Sequence, residues 1–267
     1  MTYTTPPTYS APSPTGVPGL PTSASPPAAP SLLQRVRRFQ ATFSLMAVTV
    51  LIFLAQLLGK ALAGDDIVLY YGAKINANLA AGEVWRLVTP IFLHAGLLHI
   101  AVNMYSLYAL GPAVERFFGR TRFLVVYLLS GISGVLLSLV LSPNPSVGAS
   151  GAIFGLLGAL AAFLYLHRAT FGQLGAMQLR QLVIVALINL ALGLTPGIDN
   201  WGHVGGLTAG VALSLFLGPR FSTSVLPDGR PRLVDGRSKQ QISVRIGLAI
   251  AALVILSVLA MMNAAAA

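Results

Sequence analysis

Gly148-Ala149-Ser150-Gly151-Ala152-Ile153-Phe154-Gly155 opens one apolar segment of this chain, and Trp201-Gly202-His203-Val204-Gly205-Gly206 opens another. Hydrocarbon tolerates few polar groups, so a serine and a histidine at the heads of two separate membrane-length segments read first as a functional site. A nucleophile and a base in one membrane point to hydrolysis.

The surrounding sequence supports a membrane setting. Of 267 residues, 55% are hydrophobic and 9% charged, the composition of a polytopic all-α membrane protein. Apolar segments run over about 41–62, 93–111, 123–141, 150–166, 179–194, 201–217 and 246–262, which predicts seven spans. Several fall short of the roughly 20 apolar residues of a full crossing, as happens where neighbours shield a short helix. There is no cysteine, which excludes disulfides, a thiol nucleophile and thiolate metal ligands.

The net charge of +10 is explained by topology. With the N-terminus in the cytoplasm, 14 of the 17 basic residues fall on that side, and only Lys60, Lys74 and Arg86 lie outside. The bias predicts a cytoplasmic N-terminus and an external C-terminus, and no nucleic-acid partner is needed to account for the charge. Ser150 and His203 then both begin helices entering from the outer face. The segment 150–166 has 17 residues, about 25 Å of helix against a hydrocarbon core of about 30 Å, so Ser150 should be recessed. The uncharged link Ser142-Pro143-Asn144-Pro145-Ser146 ahead of it is free to dip inward where protein or water shields its backbone.

Gly151 to Gly155, and Gly202, Gly206 and Gly210, are small-xxx-small runs that let helix backbones touch. Gly206 and Gly210 follow His203 by three and seven residues, so the histidine points toward that seam. Glycines as generic membrane packing is the competing reading of either run alone. His94, His99 and Asn103 lie on the second span. His99 and Asn103 share a face and offer donors to a developing oxyanion, to which the Ser150 amide at a helix N-terminus adds another. His99 alone reads equally well as a structural histidine, since buried polar groups need partners.

Trp85-Arg86, then His94, His99 and Asn103, then Glu115-Arg116 before Gly119, then Gly148 to Gly151, then His203 before Gly206 and Gly210, closely resemble the rhomboid intramembrane serine proteases over about residues 40 to 218. The resemblance implies a six-helix rhomboid-like core plus one C-terminal transmembrane helix. It makes Ser150 the nucleophile and His203 the general base, a dyad without a carboxylate, with His99, Asn103 and the Ser150 amide as the oxyanion hole. It assigns Gly148 and Gly151 to the serine loop and its packing, Gly206 and Gly210 to the seam, Trp85 and Arg86 to a structural loop partly in the outer leaflet, and Glu115 and Arg116 to the cytoplasmic end of the second helix. Phe154 stands where some members stack a tyrosine on the histidine; stacking survives, the hydroxyl does not. The implied substrates are single-span membrane proteins, cut near the outer face, often after a small residue, and admitted past a mobile fifth helix and the loop 195–200. No metal or other cofactor is implied.

The resulting division is an arm over 1–34, a protease domain over 35–219, a basic cytoplasmic loop over 220–245 and a seventh helix with an external C-terminus over 246–267. The first thirty residues hold nine prolines, ten serines or threonines and no charge, which predicts a disordered arm rather than a signal peptide. A bacterial plasma membrane is the expected location.

Asp199 either completes a triad or N-caps the helix of His203, and the cap is the commoner use of an aspartate there. His167, Asp65, Asp66, Glu83 and Lys74 are read as solvated loop residues. No His-Glu-x-x-His run occurs, no apolar segment carries an aspartate, and no internal repeat is seen, against a metalloprotease, an aspartyl protease and a transporter. An inactive relative that binds and routes membrane clients is the remaining alternative.

Overall fold

The structure, a computed structural model, describes residues 31–225 and 231–266. The expected arm lies outside these except at its end, where α1 (Leu32–Arg38) already begins behind a capping box of Ser31 and Gln34. Then follow α2 (Gln40–Ala63), the short α3 (Ile67–Gly72) and α4 (Asn76–Ala80), two 3-10 turns (Val84–Leu87 and Thr89–Phe92), α5 (Leu97–Leu141), α6 (Ser150–Leu166), α7 (Arg168–Leu192), α8 (Asn200–Leu217), a hairpin of β1 (Phe221–Val225) and β2 (Pro231–Asp235), and α9 (Lys239–Ala266).

Helices α2, α5, α7 and α9 are long and apolar enough to cross a membrane, and α6 is apolar but shorter. The second and third expected spans are the two halves of α5, broken at Gly119, whose φ of 75° only glycine adopts readily. With α5 counted as two halves, and with α6 and α8, seven helical segments stand where the sequence places its seven expected spans. In α8, four glycines and a histidine dilute the apolar character, so this helix depends on its neighbours.

Those neighbours are α5 and α6. Helix α6 is the hub, buried over most of its length and packed on α5 and α8. Glycine decides how close they come. A Cβ on Gly206 would overlap the carbonyl of Gly151, one on Gly210 the carbonyl of Gly155, and one on Gly155 the side chain of Ser130. Such contacts replace the hydrophobic effect, which gives no preference for a neighbouring helix over lipid. Helix α7 packs mainly on α6, and α9 leans on α5 and α4, with Leu253 among Leu79, Leu87, Val135, Leu136 and Leu139.

At the bundle end away from Ser150, Glu115 accepts from the amides of Ala41 (3.1 Å) and Thr42 (2.9 Å) and from the Thr42 hydroxyl (2.7 Å). Phe39 gives α2 no side-chain cap, so an acid from α5 satisfies its first N–H groups and meets its positive end. Arg116 is exposed.

Several loop expectations are corrected. His167 is buried: its Nδ1 pairs with the Phe163 carbonyl (2.9 Å) and its Nε2 accepts from the Phe221 amide (3.2 Å), because the hairpin folds back over it. That hairpin occupies what reads as a basic loop, where β-branched Thr223, Val225 and Val234 favour strands. Its end is fixed by Asp235, which accepts from Arg122 (2.6 Å) and from the amides of Arg220 and Arg237. Burial pushes that carboxyl's pKa up, but the Arg122 guanidinium and the two amides outweigh it and hold it below the usual aspartate value.

Asp66 caps α3 and Glu83 pairs with Arg86, so neither is a free loop acid, whereas Asp65 is exposed as read. Lys74, read as solvated, is fully buried.

Candidate active site

Ser150 is the first residue of α6 and His203 lies in the first turn of α8. The glycine seam joins these two turns, and His203 Nε2 sits 2.9 Å from Ser150 Oγ. Phe154, one turn along α6, stacks on the imidazole at 4.4 Å between centroids with planes 10° apart. The stack fixes the ring where two hydrogen bonds would otherwise be needed. Among the described residues His203 Nδ1 is buried without a partner and no carboxylate orients this ring. Asp199 does not reach it: its side chain accepts from the Gly202 amide at 3.0 Å as the N-cap of α8.

Gly148, with φ at +132°, turns the chain into α6. A Cβ there would stand 2.8 Å from Cε1 and Nε2 of His99 and 3.8 Å from Ser150 Oγ. Glycine thus lets the serine loop lie against His99 as well as adopt this backbone. His99 Nδ1 accepts from the Ala95 amide at 3.4 Å, which leaves the proton of a neutral ring on Nε2, the nitrogen facing Gly148. Asn103, one turn below and buried, donates from Nδ2 to the His99 carbonyl at 2.9 Å. The Ser150 amide, at the start of α6, has no acceptor within its own helix. A cavity of about 30 Å³ lies beside Ser150, between Ile91, Gly131, Gly134, Gly148 and Gly202, room for a water molecule. The larger groove, about 290 Å³ between Gln40, Leu45 and Arg120, is at the other end of the bundle.

The loop between α2 and α5 supports this site from outside. Arg86 is buried, donating to the carbonyls of Tyr70 (3.0 Å) and Ala73 (2.7 Å), while the half-exposed Trp85 indole donates to the Tyr71 carbonyl (3.0 Å). Sequence reasoning passed over Gln56. Buried on α2, it donates to the His94 carbonyl (3.1 Å) and to Asp66 (2.9 Å) and accepts from the His94 amide (3.1 Å). It thereby fixes the entry to α5, and His94 in turn packs edge-on against His99. A lone glutamine amid apolar residues in the first span was the available signal.

The rhomboid domain profile matches residues 81–220, which include Trp85, Arg86, His94, His99, Asn103, Gly148, Ser150, Phe154 and His203 but not Gln56. The chain belongs to the rhomboid family and is a multi-pass integral membrane protein. Over 179 residues it is 41% identical to the rhomboid protease GluP of Bacillus subtilis, covering 66% of this chain and 34% of that one. RHOMBOID-like protein 1 of Arabidopsis thaliana is 46% identical over 132 residues, covering 49% of this chain and 34% of its own. RHOMBOID-like protein 4 of the same plant is 38% identical over 147 residues, covering 55% and 37%. The chain thus spans about a third of the length of these relatives.

Proposed function

We propose that the chain is an intramembrane serine endopeptidase that cuts single-span membrane proteins near the outer face of a bacterial plasma membrane, with a cytoplasmic N-terminus and an external C-terminus. The 2.9 Å contact between Ser150 Oγ and His203 Nε2 carries the reading. Ser150 Oγ attacks the scissile carbonyl while His203 Nε2 takes its proton. The tetrahedral intermediate collapses to an acyl-enzyme as His203 gives that proton to the leaving amine, and water activated by the same nitrogen releases the acid. Negative charge on the former carbonyl oxygen meets donors from His99 Nε2, Asn103 and the Ser150 amide. Support for the orientation comes from the distribution of arginine and lysine, and support for the peptidase reading from the likeness to a chain named a rhomboid protease.

The test is cleavage of a single-span reporter by the purified chain in vesicles. Ser150-dependent cleavage near the outer end supports the proposal; binding of the reporter with no cleavage would favour the inactive, client-routing alternative. The same assay weighs the oxyanion donors. Asn103→Ala is expected to lower kcat by up to about 10² to 10³ with little change in KM, less if His99 and the amide compensate. An unchanged kcat would make Asn103 structural.

A further inference from the structure

We propose that Lys74 is a positioning residue for the nucleophile, its ammonium clamping the end of α5 and the 142–146 link so that Gly148 and Ser150 are held against His99 and His203. The inference rests on the reading of Ser150 as nucleophile. Lysine is almost never fully buried without a partner, yet Lys74 has no solvent exposure. Among the described residues no carboxylate lies within 4.0 Å of it. All three of its protons go to backbone carbonyls instead: Ser138 at 3.2 Å, Ser142 at 3.0 Å and Asn144 at 2.9 Å.

The first two acceptors belong to the last turn of α5 and its C-cap, where the helix dipole attracts a cation; the Ser138 carbonyl also accepts from the Ser142 amide at 2.9 Å, so Lys74 is its second donor. The third lies in the link itself. The same residue also joins the link by its backbone, donating to Ser146 O (3.0 Å) and accepting from Ser146 N (3.1 Å). Two residues further on, the Gly148 amide donates to the Pro90 carbonyl at 2.8 Å. Between Ser142 and Ser150 the chain is therefore fixed through Lys74 at one end and Pro90 at the other. Asn76 adds bonds to the Leu139 and Ser142 carbonyls, and α4, which carries it, is braced by α9. The clamp thus reaches the seventh helix.

A structural lysine and a positioning lysine differ in what its neutralisation does. Burial lowers the Lys74 pKa to about 8, partly offset by the negative charge of Asp199 at the start of α8. Loss of the proton leaves two N–H donors for three carbonyls, in a fold that is not destabilised: the unfolded lysine holds its proton to a higher pH, so this group adds stability as pH rises from about 8 towards its ordinary value of 10.5. A slower nucleophile without unfolding is the signature.

The experiment is the rate of Ser150 modification by a fluorophosphonate in detergent, followed from pH 6.5 to 9.5 for the wild type, Lys74→Met and a Ser150→Ala blank, with melting temperature recorded alongside. The expected result is a wild-type rate that falls several-fold above about pH 8 with no loss of fold. Lys74→Met should be slower at pH 7 by on the order of tenfold to a hundredfold, as for a small displacement of a reacting atom, and should lack that alkaline limb. Wild-type rate in a folded Lys74→Met, or the same limb in both proteins, overturns the proposal. If Lys74→Met does not fold, the wild type decides alone, since a rate that keeps rising or stays level to pH 9.5 overturns it. A wild type that labels no more than Ser150→Ala refutes the nucleophile itself, a separate failure.

Discussion

Ser150→Ala and His203→Ala are each expected to abolish cleavage of a single-span reporter in vesicles while leaving the helical fold and its melting temperature close to wild type. The two side chains meet in one hydrogen bond at 2.9 Å, so either change removes the same chemical unit. The double variant should be no slower than either single one, the non-additivity shown by residues that act together. Asp199→Asn should keep most of the activity, because asparagine also caps a helix and the carboxylate makes no bond to the imidazole. Substantial cleavage by either alanine variant would overturn the dyad, and a loss of roughly a thousandfold or more in Asp199→Asn would restore a triad.

The second large effect is geometric. Gly206→Leu should cost on the order of a hundredfold or more in cleavage although every reacting side chain remains, since about 1 Å of misplacement suffices for such a loss. The reason is steric: any Cβ at 206 overlaps the Gly151 carbonyl, in the turn of α6 that carries Ser150. Helix α8 must move away, taking His203 with it. Gly247→Leu is the control, because among the described residues nothing lies within 4 Å of a Cβ on that residue of α9. Full activity in Gly206→Leu, or equal damage from Gly247→Leu, would contradict the proposed seam.

Both effects rest on residues that are visible in the sequence for a physical reason. Polar groups are scarce in apolar segments, so Ser150, His203, His99 and Asn103 stand out. The glycine spacing also exposes the seam, because in lipid close backbone approach is what draws helices together. Lys74, His167 and Gln56 were less legible. Lys74 and His167 lie outside the apolar segments, and their burial is created by segments distant in sequence: the end of α5 and the 142–146 link for Lys74, the β1–β2 hairpin for His167. Gln56 was visible as a polar residue in an apolar run, but its partner, the backbone at His94, was not. The hairpin was hidden because a basic stretch between two apolar segments reads as a solvated loop, and it is tied to the core by partners distant along the chain, Arg122 on α5 for Asp235 and His167 for the Phe221 amide.

Active-site labelling tests the central claim most directly. A fluorophosphonate loses fluoride to an activated serine oxygen and stays attached to it, whatever the natural substrate is. The account predicts one adduct, mapped to the peptide containing Ser150, absent in Ser150→Ala and formed far more slowly in His203→Ala. An unlabelled wild-type protein in its folded state, or an adduct that persists in Ser150→Ala, would contradict it.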